Sequence, residues 1–591
     1  MSMYPCTSGA RRDPWRRRAP KSIAVSVAAA CATALVVAAG LARAEDAPAA
    51  TTPAEAGVAP AEATSAVSVA TPAQATTPAP SSAAAVAQPT LPTDFFGRLV
   101  KWYEIEWGQP GPPTDPNAPP ARRPAPWPAQ PETTPPMPFT EWPYGATTAI
   151  GVNRAASADS PLMVALAPSA LGKAMAAANI QFYGWVDVGG NISSMNVKGG
   201  NAPAAYDYNP NTIQLDQAVV YFERTPDTVQ TDHVDWGFRL SAIYGENYRY
   251  TTSYGLASYQ LLKHNDNYGY DFPMVYGELY IPKIAQGLLI RAGRFISIPD
   301  IEAQLAPNNY MYTHSMTYTF DNYTNTGVQV TLAATKNIFL QLGVNVGSDT
   351  AAWNAGRQLP NLYVLAGNPD PLYPGKTFRK DPGNQPSVTA CARFQSDSAH
   401  DNLYLCADAI NKGTYGYNNL QWLGVTYYHR FNDHWHISME AWHMQEDGVP
   451  NVNNPATLAI IAGGGTPFSP QYVPFNAPNG AQCRNPAALT CNAPEQSAVF
   501  YLNYSPRPLD NFSLRGEVFD DIVGQRTGFA NTYYEAALGW QHWLSPQIEL
   551  RPEITYYHAA NQDAFDGNSN LGIAPTKRTA VIGSGDIIWH F

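Results

Sequence analysis

From Ile180 to Phe591 the chain alternates apolar and polar residues with a period of two, the spacing of strands that shield one face only. In "IQFYGWVDVGG", Ile180, Phe182, Val186 and Val188 fall on one parity and Gln181, Tyr183, Trp185 and Asp187 on the other. "TGVQVTLA" sets Val328, Val330 and Leu332 against Gln329 and Thr331. "NIFLQLGVNVG" sets Ile338, Leu340, Leu342, Val344 and Val346 against Phe339, Gln341, Gly343 and Asn345. "NFSLRGEVF" sets Phe512, Leu514 and Val518 against Ser513, Arg515 and Glu517. The chain even ends this way: in "SGDIIWHF", Ile587, Trp589 and Phe591 share a parity, and Asp586 and His590 the other. A β-sandwich would alternate as well, so the connections have to decide.

About sixteen strands begin near Ile180, Thr212, Val234, Pro273, Leu288, Asn325, Ile338, Ser387, Asn402, Asn419, His434, Ser497, Asn511, Thr532, Gln547 and Arg578. Every second connection is short: "TPDTVQTDH", "PKIAQG", "TKN", "SDSAHD", "ND", "PRPLDN", "SP". Those between are mostly long: Asn191–Asn211, Asn247–Phe272, Ser297–Thr324, Ser348–Pro386, Gln445–Gln496 and His558–Lys577. Tight turns on one side and long loops on the other mark a transmembrane antiparallel barrel. A sandwich has no reason to hold that phase through eight hairpins. The pattern therefore predicts an all-β, transmembrane antiparallel β-barrel of about sixteen strands over 180–591, with both ends at the periplasmic side. The last strand must pair with the first, because an open edge in lipid costs several kcal/mol per unsatisfied group.

The region before the barrel reads differently. "RRDPWRRRAPK" precedes the uncharged run "SIAVSVAAACATALVVAAGLA", which ends in "ARA". A basic stretch, an apolar stretch and small residues at the cut site predict a signal peptide over 1–44. Residues 45–92, rich in Ala, Pro, Thr and Ser, lack the apolar content to fold and read as a disordered linker. "PTDFFGRLVKWYEIEWG" predicts a short amphipathic helix over 93–108, capped by Thr93 or Asp94, with Phe95, Phe96, Leu99, Trp102 and Tyr103 on one face. It could dock on the barrel, oligomerise, contact a periplasmic partner, or simply be a small tethered helix with no chemistry. A proline-rich extended segment, 109–179, follows.

Composition agrees with a barrel. Aromatics make up 12% of the chain, with 34 Tyr and 14 Trp, and charged residues only 14%, well below the roughly 25% of soluble domains. Tyr and Trp suit membrane interfaces. Mean hydropathy is negative, and no run of about 18 uncharged apolar residues follows Glu45. Removal of 1–44 leaves 29 basic against 46 acidic residues, a net charge of −17, which makes nucleic acid a poor partner.

The stretches "IQLDQAVVYFERTPD", "HVDWGFRLSAIYGENYRYTTSYG", "DFPMVYGELYIP", "LLIRAGRF", "TNTGVQVTLA" and "SLRGEVFDDIVGQRTG" resemble, in order and spacing, the OmpL-like outer-membrane β-barrel porin family of Gram-negative bacteria. The resemblance spans about Ile180 to Phe591 and implies a channel for small solutes in the bacterial outer membrane. The terminal Phe591 likewise resembles the C-terminal signal read by the barrel assembly machinery. Outer-membrane lipid and lipopolysaccharide are the implied surroundings, and a homotrimer the implied assembly by analogy with sixteen-stranded porins. The proline-rich segment is not part of the general porin pattern.

By parity, the face opposite lipid carries the cations Arg239, Arg291, Arg393, Arg515 and Arg551 and the acids Asp187, Asp216, Asp408, Glu517, Glu535, Glu549, Glu553 and Asp586. These are the candidate pore-lining residues. Mixed charge with acids ahead favours polar solutes, and cations weakly. A barrel of this size leaves an aqueous channel, and the third long connection, Ser297–Thr324, is the candidate constriction loop. Its Asp300, Glu302, His314 and Asp321 could hydrogen-bond a small polar solute. They could equally sit in an exposed loop.

No G-x-S-x-G, H-E-x-x-H or P-loop occurs, so no enzyme, catalytic residue or cofactor is expected. His429, His434, His436 and His443 crowd one hairpin, but an uncertain register assigns them no metal. The rival to a porin is a surface receptor or adhesin barrel with long loops, among them "IIAGGGTPFSPQYVPFNAPNG", and no open pore.

Four cysteines follow the leader. Cys483 and Cys491 share one long connection and could close a ring there. If Ser396 pairs with Asp401, Phe394 meets Leu403, Ala392 meets Leu405 and Ala390 meets Ala407, all toward lipid. The same register sets Cys391 opposite Cys406 on the inner face. Two disulfides, Cys391–Cys406 and Cys483–Cys491, are therefore expected in the oxidising periplasm.

Overall fold

In the computed structural model the described residues are 91–107, 150 and 160–591, apart from 205, 254, 265, 297–299, 355–357, 361–377, 381–383, 399, 412–420, 433, 458–479, 508, 546 and 569–570. The predicted leader, most of the predicted linker, most of the predicted proline-rich segment, and the glycine- and proline-rich stretch before Gly480 lie outside them.

Sixteen antiparallel strand positions close into a barrel. They are β1 Gln181–Ser193, β2 Ile213–Arg224, β3 Asp235–Gly245, β4 in two pieces (Gly269–Asp271 and Val275–Ile281), β5 Leu288–Ile296, β6 Thr324–Ala333, β7 Ile338–Ser348 and β8 Ser387–Gln395. The circle continues with β9 Asp401–Ile410, β10 Gln421–Arg430, β11 Trp435–Pro450, β12 Thr490–Arg507, β13 Asp510–Asp521, β14 Asn531–Ser545, β15 again in two pieces (Ile548–Leu550 and Glu553–Ala559) and β16 Thr579–His590. Each strand pairs with its sequence neighbour, and β1 pairs with β16, from Trp185 opposite His590 to Ser193 opposite Ile582. Among the described residues the barrel sheet thus closes on itself, as a sheet in lipid must. The gap in β15 falls at Arg551–Pro552, where proline has no N–H to give the ladder.

The alternation sorts the wall. Val328, Leu340, Leu342, Val344 and Leu514 are exposed on the outer face, whereas Gln329, Asn345, Ser513 and Arg515 are buried on the inner. Outward aromatics gather near both rims. Trp236, Trp435, Tyr504, Trp540 and Trp589 lie toward the short-turn end, and Tyr244, Phe272, Tyr534 and Tyr556 toward the other. Such girdles mark the two membrane interfaces.

One irregularity changes the parity. Asp187 stands opposite Gln217 but Val188 opposite Leu215, so Asp216 is an extra residue in β2. A bulge of this kind bends the strand and resets its alternation. Asp216 and Gln217 both turn inward, and the inward set then continues through Val219, Tyr221 and Glu223.

Cys391 lies opposite Cys406 on adjacent strands, with Phe394 opposite Leu403, Ala392 opposite Leu405 and Ala390 opposite Ala407. The two cysteines are buried on the inner face and joined as a disulfide, and Cys483 is joined to Cys491 at the outer end of β12.

Among the described residues, three helices sit ahead of β1: α1 Phe95–Glu106, α2 Pro161–Leu166 and α3 Ala170–Ala177. Asp94 caps α1, its Oδ1 accepting the Gly97 amide at 2.7 Å. The extended chain predicted over 109–179 is corrected at its end. Ser160 caps "PLMVAL", which carries proline in its first turn, and Ser169 caps the alanine-rich "ALGKAMAA". Caps and helix-forming residues outweigh the general proline content there. The Ser160 hydroxyl also donates to Phe182 O at 2.7 Å, fixing α2 to the start of β1.

Candidate functional site

The connection from β5 to β6 does not lie on the outside of the barrel. Residues 300–323 are buried almost without a break, and their partners are strands all around the wall. Tyr312 donates to Asp216 of β2 at 3.0 Å. Asn322 donates to Asp408 of β9 at 2.6 Å. The Ile301 amide donates to Glu440 of β11 at 2.9 Å, and the Thr313 amide to Glu553 of β15 at 3.1 Å. A short helix, α4 Met316–Thr319, is capped by Ser315 and points its first amides at Glu517 of β13, Met316 N at 2.8 Å. Free N–H groups at a helix start make a suitable seat for a carboxylate.

Two inward arginines hold the loop from the other side. Arg515 pairs with Glu535 and donates from Nη1 to Thr313 O at 2.6 Å. Arg551 pairs with Asp586 and donates from Nη1 to Ala306 O, Asn309 O and Met311 O at 2.6, 3.1 and 3.0 Å. A guanidinium suits this work, since its fork of donors serves a carboxylate and several carbonyls together.

Each of the thirteen candidate lining residues is buried on the inner face, none more than 9% exposed. Away from the loop they pair along the wall. Arg239 meets Glu223, which also accepts Tyr183 Oη at 2.7 Å. Arg291 donates to Glu278 at 2.9 Å and lies over the Tyr276 ring at 4.5 Å. Arg393 donates to Asn402 at 2.7 Å. Glu549 accepts from Gln541 at 2.6 Å, and Asp187 lies opposite Gln217 in the β1–β2 pairing. Within the described lumen these charges are buried, and most are bonded to one another or to neighbouring polar groups of the wall and loop.

The four loop candidates are buried too. Glu302 accepts the Ser315 amide at 3.1 Å and the Tyr501 hydroxyl, and His314 Nε2 contacts Ala303 O at 2.6 Å. Asp300, Asp321 and Glu440 bring carboxylate oxygens within 4.8 Å of one another. Carboxylates this close suit a shared proton as well as a cation, so the cluster alone assigns no metal. The histidines of the β10–β11 hairpin diverge: His429 contacts Asp401 at 2.6 Å, whereas His436 packs between Tyr310 and Tyr428.

Sequence reasoning missed Glu223, Glu278, Arg294 and Glu440. Glu223 is hidden by the bulge at Asp216. Glu278 and Glu440 share inward parity with Tyr276 and Tyr280 and with Ser438 and Trp442, a signal that could have found them. Arg294 grips Asp271 with both terminal nitrogens, at 3.0 and 2.9 Å.

The family model for beta-barrel porin-2, OmpL-like, matches residues 179–591. Among curated proteins none matches. Solved structures similar to this chain include the anion-selective porin from Comamonas acidovorans, at 9% identity and a TM-score of 0.39, covering 70% of this chain and 99% of that one. Another is the outer membrane channel DcaP of Acinetobacter baumannii, at 10% identity and a TM-score of 0.37, covering 70% and 97%. Likeness at this level assigns no solute and no selectivity.

Proposed function

This chain belongs to the OmpL-like beta-barrel porin-2 family, and from that membership we propose that it is a channel for passive diffusion of small hydrophilic solutes across the bacterial outer membrane. The observation that carries the reading is the loop folded inside a polar barrel and fastened around its wall. A loop so placed narrows a lumen while lining it with hydrogen-bonding groups. The packing supports a narrow passage, one for ions and the smallest polar solutes. Acids outnumber arginines among the inward residues, which favours cations modestly. Phe591 serves as the assembly signal, and trimeric association belongs to the same proposal.

Proteoliposome swelling tests the reading. Vesicles carrying the folded barrel should swell in a small sugar or amino acid and swell progressively less as solute size increases. Absence of swelling with every solute would favour the second reading, a closed receptor barrel. The burial of all thirteen predicted lining charges is the observation on that side.

A further inference from the structure

Helix α1 is held on two sides. On one, Arg98 Nε donates to Val164 O of α2 at 2.7 Å, and α2 is itself fixed to β1. On the other, the Tyr103 hydroxyl donates to His590 O at 3.1 Å, and its ring lies 6.0 Å from that of Trp589. Trp589 belongs to the outward, lipid-facing parity of β16, with Ile587 and Phe591. Tyr103 therefore touches the barrel at the lipid-facing belt of the short-turn rim, which in outer-membrane barrels faces the periplasm.

At about 100° per residue, Phe96, Val100, Tyr103 and Trp107 share an arc of about 60°. Tyr103 is the one that meets the belt. The other three are the most exposed apolar side chains of the helix and its C-cap, at 75% for Phe96, 57% for Val100 and 59% for the capping Trp107. Lys101, which pairs with Glu104 at 3.1 Å, is off this arc. The stripe thus continues a membrane-facing aromatic surface beyond the barrel wall, over a helix length of about 16 Å from Phe96 to Trp107.

We propose that α1 is an interfacial helix lying on the periplasmic leaflet of the outer membrane, with Phe96, Val100 and Trp107 set into the headgroup and acyl boundary. Continuity with the lipid-facing belt selects lipid as the occupant. A second copy of the chain would have to cover the stripe and the adjoining Trp589 together. Apolar side chains on one face and Arg98 and Lys101 elsewhere on the helix fit this placement.

The test uses the full chain with Cys6 and Cys31 changed to serine and one cysteine added at Phe96, Val100 or Trp107, or at Lys101 or Glu104 as controls. Each is labelled with an environment-sensitive fluorophore and reconstituted, with the barrel fold checked by its heat-dependent gel mobility. The vesicles are of phosphatidylcholine and phosphatidylglycerol, with or without lipid carrying a shallow nitroxide. Labels on the stripe should emit at shorter wavelength, be quenched at least twofold more by nitroxide lipid than the controls, and be shielded from aqueous iodide. Iodide quenching of the stripe equal to that at Glu104 would overturn the proposal. So would shielding from both quenchers, which would mean a second copy covers the stripe.

Discussion

Phe591 and Gly184 hydrogen-bond in both directions, the Phe591 amide to Gly184 O at 2.9 Å and the Gly184 amide to Phe591 O at 3.0 Å. The last residue of the chain is therefore part of the barrel's closing seam. Its ring lies where a side chain on Gly184 would begin: a Cβ there would meet ring carbons at 2.7 and 2.8 Å. The Trp589 ring is 5.9 Å away.

From this, Phe591→Asp should lower the amount of folded barrel in the outer membrane severalfold. A charge near the interface costs only about 0–1 kcal/mol, so refolding of the variant into lipid vesicles should be nearly normal. The loss in cells but not in vesicles would come from the assembly signal. Normal outer-membrane levels in fractionated cells would count against the assignment. His590→Gln should leave those levels higher than Phe591→Asp does.

The wall assignment makes a paired prediction. Leu342 is 60% exposed at the middle of β7, and Leu342→Arg should cost about 2–4 kcal/mol on a lipid face at mid-depth. Gln341, the next residue, faces inward, and Gln341→Arg should cost far less. Urea titration of the refolded barrels checks both; equal costs would contradict the facing.

Arg551 carries the loop prediction. Arg551→Met removes three bonds to loop carbonyls and leaves Asp586 buried without its cation. Breaking a buried pair in this way costs about 3–5 kcal/mol. The barrel should melt at lower temperature, and the freed loop should raise single-channel conductance. An unchanged melting temperature together with unchanged conductance would show that the loop is held otherwise.

For the cysteines, peptide mapping of the non-reduced protein should recover Cys391–Cys406 and Cys483–Cys491. The 15-residue separation of the first pair corresponds to stabilisation of up to about 3 kcal/mol on the chain-entropy account. Free thiols at Cys391 and Cys406 would contradict the pairing.

These outcomes rest on features of unequal legibility. Strand positions were readable because lipid on one side and polar groups on the other force a period of two. Leu288, Ile338 and Ser387 begin their strands where the pattern places them. Local breaks were not readable: one extra residue at Asp216 reverses what parity says of Glu223, and β12 begins at Thr490 rather than near Ser497. The loop's polar content was visible in "SIPDIEAQLAPNNYMYTHSMTYTFDNY", but its contacts were not. Alternation says which side of the wall a residue faces. It says nothing of what crosses the lumen, so Arg551 could be placed inward and not on the carbonyls of Ala306, Asn309 and Met311.

Single-channel recording in a planar bilayer addresses the channel most directly. Purified, folded barrel in low salt should give discrete small current steps. Under a potassium chloride gradient the reversal potential should show a modest cation preference that fades toward 1 M salt, where the screening length falls to about 3 Å. Inserted barrels that pass no current, or a clear preference for chloride, would contradict the account.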